Sequence, residues 1–389
     1  MDQAVGWAEA RARTPGIVKT AFVQYDSAQA VGTLKHNLGD GPFALVILFV
    51  SPNADASDVI AEAQEVFDPT PVVGCTTAGE LADDGYCEGK IVAIALPQSH
   101  FETRTVLVSD LSDFDAESII NEMIHNRHDM MATAPDWSHE FTFLMIDGLS
   151  TKEDALTSEL AVGLGPVPLF GGSAGDGARF DSTYVLHEGQ ALPNAAILTQ
   201  VRTRCPIKVF KTDHLLPAER RMVVTKADPA KRIVQEINAE PAAREYARIL
   251  GKDPEQLTTF TFAAHPVVVQ IGGKHHVRAI QQVAGNGDLV FFSAIDEGLV
   301  LTLAKPRDMV EHLQEEIGVL SAKQQPDTIL GCDCILRRLE AQEKQMTREI
   351  SSILAHNHVV GFSTYGEQYT SIHVNQTLTG VAIYPPEKE

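Results

Sequence analysis

Three stretches of this chain repeat one another: Gly74-Cys75-Thr76-Thr77-Ala78-Gly79-Glu80, Gly171-Gly172-Ser173-Ala174-Gly175-Asp176 and Gly361-Phe362-Ser363-Thr364-Tyr365-Gly366-Glu367-Gln368. Each reads as glycine, one or two linking residues, Ser or Thr, a small or aromatic residue, glycine and a carboxylate. Each also follows a short apolar run, at 71–73, 167–170 and 359–360. Such runs end buried strands, so each motif is expected in the loop where a strand stops. Glycine there permits positive φ or close backbone approach, while hydroxyl and carboxylate supply hydrogen-bonding groups. Three such loops predict a shared site or a shared fold element.

The surroundings repeat as well. A strand at 44–50, a helix at 57–67 and a strand at 71–73 precede the first motif; 141–146, 151–162 and 167–170 precede the second. The third follows a strand at 328–330 and one long amphipathic helix at about 336–356. From first strand to motif the distances are 28 residues (46 to 74), 28 (143 to 171) and 32 (329 to 361), which predicts three related units. Runs at 90–96, 103–108, 195–201 and 380–384 read as further sheet partners. Ahead of the first unit a lead-in helix, a strand at 17–23 and a helix begun at Ser27 are expected. A helical stretch at 228–251, with Asp228 as cap and Pro229 in the first helical position, follows the second unit and marks a boundary. Beyond it come strands at 260–269, 277–283 and 289–293, turns at 272–273 and 285–287, and a helix at 306–321.

A length of 389 residues exceeds what one core usually serves, and 44% hydrophobic residues can build two. The expected fold is therefore α/β in two domains, 1–227 and 228–389, each a mixed β-sheet flanked by helices, with internal strand-helix-strand-glycine-loop repeats. A formal charge of −21 argues against a nucleic-acid partner, which would need a basic face. The longest apolar run, 43–50, falls far short of a membrane span, and residues 1–16 do not read as a secretion signal, so a cytoplasmic location is expected. Five cysteines, Cys75, Cys87, Cys205, Cys332 and Cys334, are too few and odd in number for a disulfide framework.

Several motifs invite chemistry. Gly171-x-Ser173-x-Gly175 matches the nucleophile elbow of hydrolases, which needs a helix directly after it. Asp176 to Asp181 and then a strand follow instead, so a serine hydrolase is set aside. Cys332-x-Cys334 and His356-x-His358 have the residue types of a zinc site, but zinc cysteines are usually spaced wider, and buried inert thiols are the plainer reading. Cys205-Pro206 has the form of a dipeptide sometimes associated with thiolate ligation of haem. Fourteen histidines offer axial ligands for haem iron, with His214, His265, His356, His358 and His373 nearest to glycine motifs or strand ends. Glu80, Asp176 and Glu367 are acid or base candidates, or partners of their own loops' amides. No Walker loop, dinucleotide fingerprint or His-Glu-x-x-His is present, and no enzyme is expected.

Gly361 to Gln368 followed by Asn375-Gln376-Thr377 resembles the closing motif of FIST sensory domains, and Cys334-x-x-Arg337-Arg338 is similar to their cysteine-arginine motif. Gly74 to Glu80, Gly171 to Asp176, Val224-Thr225-Lys226-Ala227 and Pro241-Ala242 resemble the N-terminal half of that family. The resemblance implies a sensory protein that binds a small ligand and reports to a signalling partner. Among stand-alone FIST proteins it is most similar to the nitric-oxide sensors called NosP. That kinship implies haem b, nitric oxide as ligand, and a partner histidine kinase acting on biofilm and cyclic-di-GMP signalling. The haem ligand candidates are then His214, His373, His356, His358 and Cys205. The alternative is a haem-free module binding a small ligand such as an amino acid in a polar pocket of the glycine loops. Its expected contacts are Thr77, Gly79, Glu80, Ser173, Asp176, Cys334, Arg337, Tyr365, Gly366, Glu367 and Asn375, with Arg337 suited to a ligand carboxylate. Both readings leave the oligomeric state open, a homo-oligomer included.

Overall fold

The computed structural model describes residues 16–271 and 273–386. The expected lead-in helix and the turn at 272 lie outside the described residues.

The first unit runs β1 (Lys19–Gln24), α1 (Ala30–Leu38), β2 (Phe43–Val50), α2 (Ala56–Phe67), β3 (Val72–Thr76), β4 (Glu80–Ala82), β5 (Gly85–Cys87) and β6 (Lys90–Pro97). The second runs β7 (Phe101–Val108), α3 (Ala116–Thr133), β8 (His139–Ile146), α4 (Glu153–Leu164), β9 (Leu169–Ser173), β10 (Val185–His187), β11 (Gln190–Leu192) and β12 (Ala196–Thr203). The third begins with β13 (Ile207–Thr212) and is then interrupted by eight strands. These are β14 (Leu215–Asp228), β15 (Ile233–Ile237), β16 (Glu240–Pro241), β17 (Val267–Ile271), β18 (Lys274–Arg278), β19 (Ile280–Val283), β20 (Leu289–Phe291) and β21 (Val300–Pro306), with α5 (Ala242–Leu250) and α6 (Thr259–Ala264) among them. The unit resumes with α7 (Met309–Ser321), β22 (Thr328–Cys334), α8 (Ile335–Glu343), α9 (Thr347–His356), β23 (Val359–Thr364), β24 (Glu367–Tyr369), β25 (Ile372–Val374) and β26 (Leu378–Ile383).

The three units have one topology. Sheet orders are β1-β6-β2-β3-β10-β11, β7-β12-β8-β9-β24-β25 and β13-β26-β22-β23-β4-β5. In each, a parallel pair (β2 and β3, β8 and β9, β22 and β23) is flanked by the unit's own antiparallel strand. The hairpin that follows each glycine motif leaves its own sheet and pairs with the next: β4-β5 on β23, β10-β11 on β3, β24-β25 on β9. The inserted strands form a fourth sheet with a core of its own. The expected boundary at 227/228 falls at the end of β14, inside this sheet.

The apolar strands explain the layering. On β2, Leu45, Ile47 and Phe49 enter a central core, whereas Val46, Leu48 and Val50 pack under α1 and α2. Period-2 alternation thus feeds two cores, which is why the run has no polar face. Phe143 and Met145 of β8, with Cys332 of β22, enter the same central core, so three sheets share one centre and carry helices outside. There Phe49 stacks on Phe362 at 4.5 Å and meets Phe143 edge-on at 6.4 Å.

Three expected elements are corrected. The long helix at 336–356 is two, α8 and α9, because the chain turns at Gln345 with φ 59°. The helical stretch at 228–251 is a short 3-10 turn, a β-hairpin and then α5. Asn238 and Ala239 both take positive φ between Ile237 and its partner Glu240, as two-residue hairpin turns require. The strand expected at 260–269 starts as α6, since Thr258 and Thr261 form a reciprocal capping box.

Candidate functional site

The three glycine motifs meet where the sheets meet. Gly74, Gly171 and Gly361 occupy equivalent positions, each opposite its parallel neighbour at Leu48, Leu144 or Gly331. A Cβ there would lie 2.2, 2.3 or 1.9 Å from the neighbour's carbonyl oxygen, so each site requires glycine. Two residues on, the backbones form a ring. Ala78 N–H donates to Ser363 O (2.9 Å), Tyr365 N–H to Ser173 O (3.2 Å) and Gly175 N–H to Thr76 O (3.1 Å). The motifs are a shared fold element that closes a pseudo-threefold.

The ring leaves three junctions, one beside the residue three past Leu48, Leu144 and Gly331: Ser51, Asp147 and Cys334. The equivalence is fixed by backbone bonds to Lys90, Ala195 and Thr377. Aromatic rings occupy the second junction, where Tyr365 lies 4.7 Å from Phe180 and 5.9 Å from Phe292. Arg338 occupies the third. Its guanidinium lies against Gly79 (φ 128°), where a Cβ would come within 1.5 Å of Nη1, and its Nη2 donates to Glu88 (2.7 Å). At the first junction a cleft of about 320 Å³ stays open. Ser51, Pro52 and Asn53 form one wall, Ala78 to Glu80 with Glu88 and Gly89 a second, and Asp176 to Arg179 the third.

Charges of both signs line this cleft. Glu80 is buried, accepting from the Thr77 hydroxyl (2.6 Å) and the Lys90 amide (3.1 Å); burial pushes its pKa up to about 7, against those hydrogen bonds and Arg338. Burial also works against the charge on Asp176, but the Tyr365 hydroxyl and the amides of Phe180, Asp181 and Ser182 hold its carboxyl below the usual range. Glu88 is 72% exposed at the rim. Arg179 is exposed and donates through Nε to Asp176 O and through Nη2 to Pro52 O, both 3.0 Å. Its Nη1 has no partner among the described residues.

Comparison with known proteins supplies the relationship. The FIST N domain matches residues 44–240 and the FIST C domain residues 242–370. The chain belongs to the FIST family. FIST domains are sensory modules that bind small ligands in signalling. No curated protein matches the sequence. A solved chorismatase structure covers 95% of this chain and 100% of its own at 10% identity, with a TM-score of 0.34, and carries no functional argument here.

Of the expected ligand contacts, this FIST chain brings Gly79, Glu80 and Asp176 to the open cleft, with Thr77 supporting Glu80 from behind. The others lie elsewhere. Ser173 is fully buried, accepts from Gln368 Nε2 (2.9 Å), and no helix follows it. Glu367 is buried and accepts from Thr364, Thr377 N–H (3.1 Å) and the Thr377 hydroxyl (2.7 Å); burial pushes its pKa up to about 8. Asn375 ties the third motif to the inserted sheet through Ser293 (2.8 Å), and Gly366 packs against the His373 ring. Tyr365 and Cys334 are fully enclosed. Arg337 is not a ligand anchor, because it is 1% exposed and bound to Asp333 (2.7 Å) and His214 (3.1 Å). The cation that lines the cleft is Arg179 instead. Arg179, Ser51 and Glu88 were not legible as site residues, since only the hairpin exchange brings them together.

His214 is fully buried, which lowers its pKa; Arg337 can only donate, so Nδ1 accepts from it and Nε2 donates to Glu340 (2.9 Å), and no lone pair is left for iron. His373 is walled in: a Cβ on Gly366 would lie 2.7 Å from its Nε2. His358 donates through Nδ1 to Asp327 O (3.1 Å). Cys205 is buried, and burial pushes its thiol up to about 11, so it is no thiolate. His356 alone of the five haem candidates presents an exposed ring, on a groove of about 1040 Å³ between α7 and α9. The Cys332 and His356 pairs cannot share a metal: Cys332 faces Phe362 near one end of the parallel pair, whereas the histidines precede Val359 at the other. Among the described residues no group of three or more His, Cys, Asp or Glu converges, and no helix is long and apolar enough to cross a membrane.

Proposed function

We propose that this FIST protein senses a small zwitterionic molecule of amino-acid size in the open junction cleft. The observation that carries this reading is the inequality of three equivalent junctions, two filled by the protein's own side chains and one left open between groups of opposite charge. Arg179 would take the ligand's carboxylate through Nη1, and Glu88, whose Oε1 is held by Arg338, its ammonium group through Oε2. A cleft of about 320 Å³ lies at the small end of ligand sites and suits such a molecule. Occupancy would then shift the population of a conformer read by a signalling partner, a histidine kinase in this reading.

Calorimetry with α-amino acids and with their amine-only and acid-only analogues tests it. One site per chain is expected for a zwitterion. Arg179→Ala should weaken it about ten- to a hundredfold, the range of a charged hydrogen bond. Ala178→Trp, on an exposed lining residue, should abolish it without lowering Tm. Binding that survives Ala178→Trp would place the ligand elsewhere.

A second reading keeps the haem, and its support is His356. Haem iron held by an imidazole can bind nitric oxide, the signal proposed for a NosP-like protein acting on biofilm and cyclic-di-GMP signalling. Protein expressed with a haem precursor should then show a Soret band that nitric oxide shifts and His356→Ala removes. A flat spectrum would end this reading.

A further inference from the structure

Each unit carries two helices on the outer face of its sheet: α1 and α2, α3 and α4, α7 and α9. The second pair is closed by a small residue, since Gly163 of α4 sits so near Ile120 of α3 that a Cβ would lie 2.9 Å from that side chain. The third pair also has its small residue, Gly318 of α7, but nothing lies within 4 Å of where its Cβ would be. The groove of about 1040 Å³ runs there.

The groove has helical walls. Val310, Ile317 and Gly318 line it from α7 at i, i+7 and i+8; Glu349, Ile353 and His356 line it from α9 at i, i+4 and i+7. A third helix laid along two such stripes drops its own side chains between them, and Gly318 lets its backbone come close. The surrounding charge selects the partner. Glu311 and Glu349 are exposed on the two helices, as is Glu315, which pairs with Arg307 (2.9 Å); Arg348 is the one Lys or Arg lining the groove, and the whole chain carries −21.

We propose that the groove between α7 and α9 docks an amphipathic helix of a partner protein, apolar on one face and rich in lysine or arginine on its flanks. The position suits an output surface, a point that rests on the cleft being the ligand site. Ser351 of α9 accepts from the Tyr86 amide of β5 (3.2 Å), and a Cβ on Gly85 would lie 2.4 Å from Ser351 Cα. From β5 the chain passes directly to Glu88 and Gly89 on the cleft wall. One hairpin therefore touches the cleft at one end and a groove wall at the other.

The probe is a fluorescein-labelled peptide of about 18 residues, five helical turns, with leucine at helical spacing and lysine elsewhere. Fluorescence anisotropy with the full chain should show one saturable site. Gly318→Leu fills the groove without changing charge, and leucine is a better helix former than glycine, so the variant should fold and bind at least about tenfold more weakly. A leucine-glutamate peptide should lose about as much. Equal binding to wild type and Gly318→Leu would reduce the contact to general attraction by an acidic surface and overturn the proposal. A dimer in sedimentation that Gly318→Leu converts to monomer would assign the groove to a second copy. Peptide release by added haem, with a Soret band, would assign it to haem. Ala178→Trp should leave peptide binding intact, which separates failure of the groove from failure of the cleft.

Discussion

Glu367→Gln should make the protein less sensitive to alkali. The Glu367 carboxyl is fully buried, and burial raises its pKa from 4.5 to about 8 despite three hydrogen bonds from Thr364 and Thr377. At about 1.36 kcal/mol per unit, that rise amounts to roughly 5 kcal/mol of preference for the neutral form. A folded-state pKa above the unfolded value means the folded protein binds more protons in between. Glu367's contribution is thus fully favourable below about pH 4.5 and declines as pH rises to about 8, by roughly 1.4 kcal/mol per unit. Glu80, raised to about 7, acts in the same sense over a narrower window. Glutamine is neutral throughout. Its oxygen can accept both Thr377 bonds while its amide donates to the Thr364 hydroxyl. Urea unfolding followed by circular dichroism from pH 5 to 8.5 should therefore show similar stability at pH 5 and a variant more stable than wild type by several kcal/mol at pH 8.5. Parallel curves would mean that Glu367 is ionised in the folded protein, so that its hydrogen bonds outweigh burial.

Gly361→Ala should lower Tm clearly, since its Cβ would sit 1.9 Å from the Gly331 carbonyl oxygen at φ 151°, and overpacking against backbone costs about 1 to 3 kcal/mol or more; an unchanged Tm would refute the required glycine. Arg337→Met should destabilise by about 3 to 5 kcal/mol by leaving Asp333 buried without its cation, while cleft affinity of the folded variant stays constant in calorimetry. Lost affinity at full stability would instead return Arg337 to the site. Arg232→Leu removes the partner of Glu153 (2.7 Å) and Asp154 (3.1 Å), which ties the inserted sheet to α4; hydrogen exchange in α4 should quicken, and unchanged exchange would make the tie irrelevant.

The three units were legible because their signal is local. An unbroken aliphatic run such as 43–50, followed by a helix and then glycine and hydroxyl, encodes a strand buried on both faces and its exit loop. The hairpin exchange was not legible, because β4, β10 and β24 read alike whichever sheet receives them. That one fact explains most of the site's displacement. Glu80 and Asp176 lie within motifs and line the cleft, but their neighbours there, Ser51, Glu88 and Arg179, carry no pattern of their own. Arg337 was misread for a related reason. Sequence shows a cation beside a cysteine motif, and only packing reveals that Asp333 and His214 already use it. The break at Gln345 and the capping box at Thr258 were visible residues whose effect depended on one backbone angle or one reciprocal bond.

On the proposed function, a small ligand enters the first junction and no other. Amide chemical-shift mapping of the labelled full chain, titrated with amino-acid zwitterions, tests it most directly. Saturable shifts are expected at Gly79, Gly89 and Gly177, all of which line the cleft. Shifts centred on Gly318 and His356 instead, or none with any zwitterion, would contradict it.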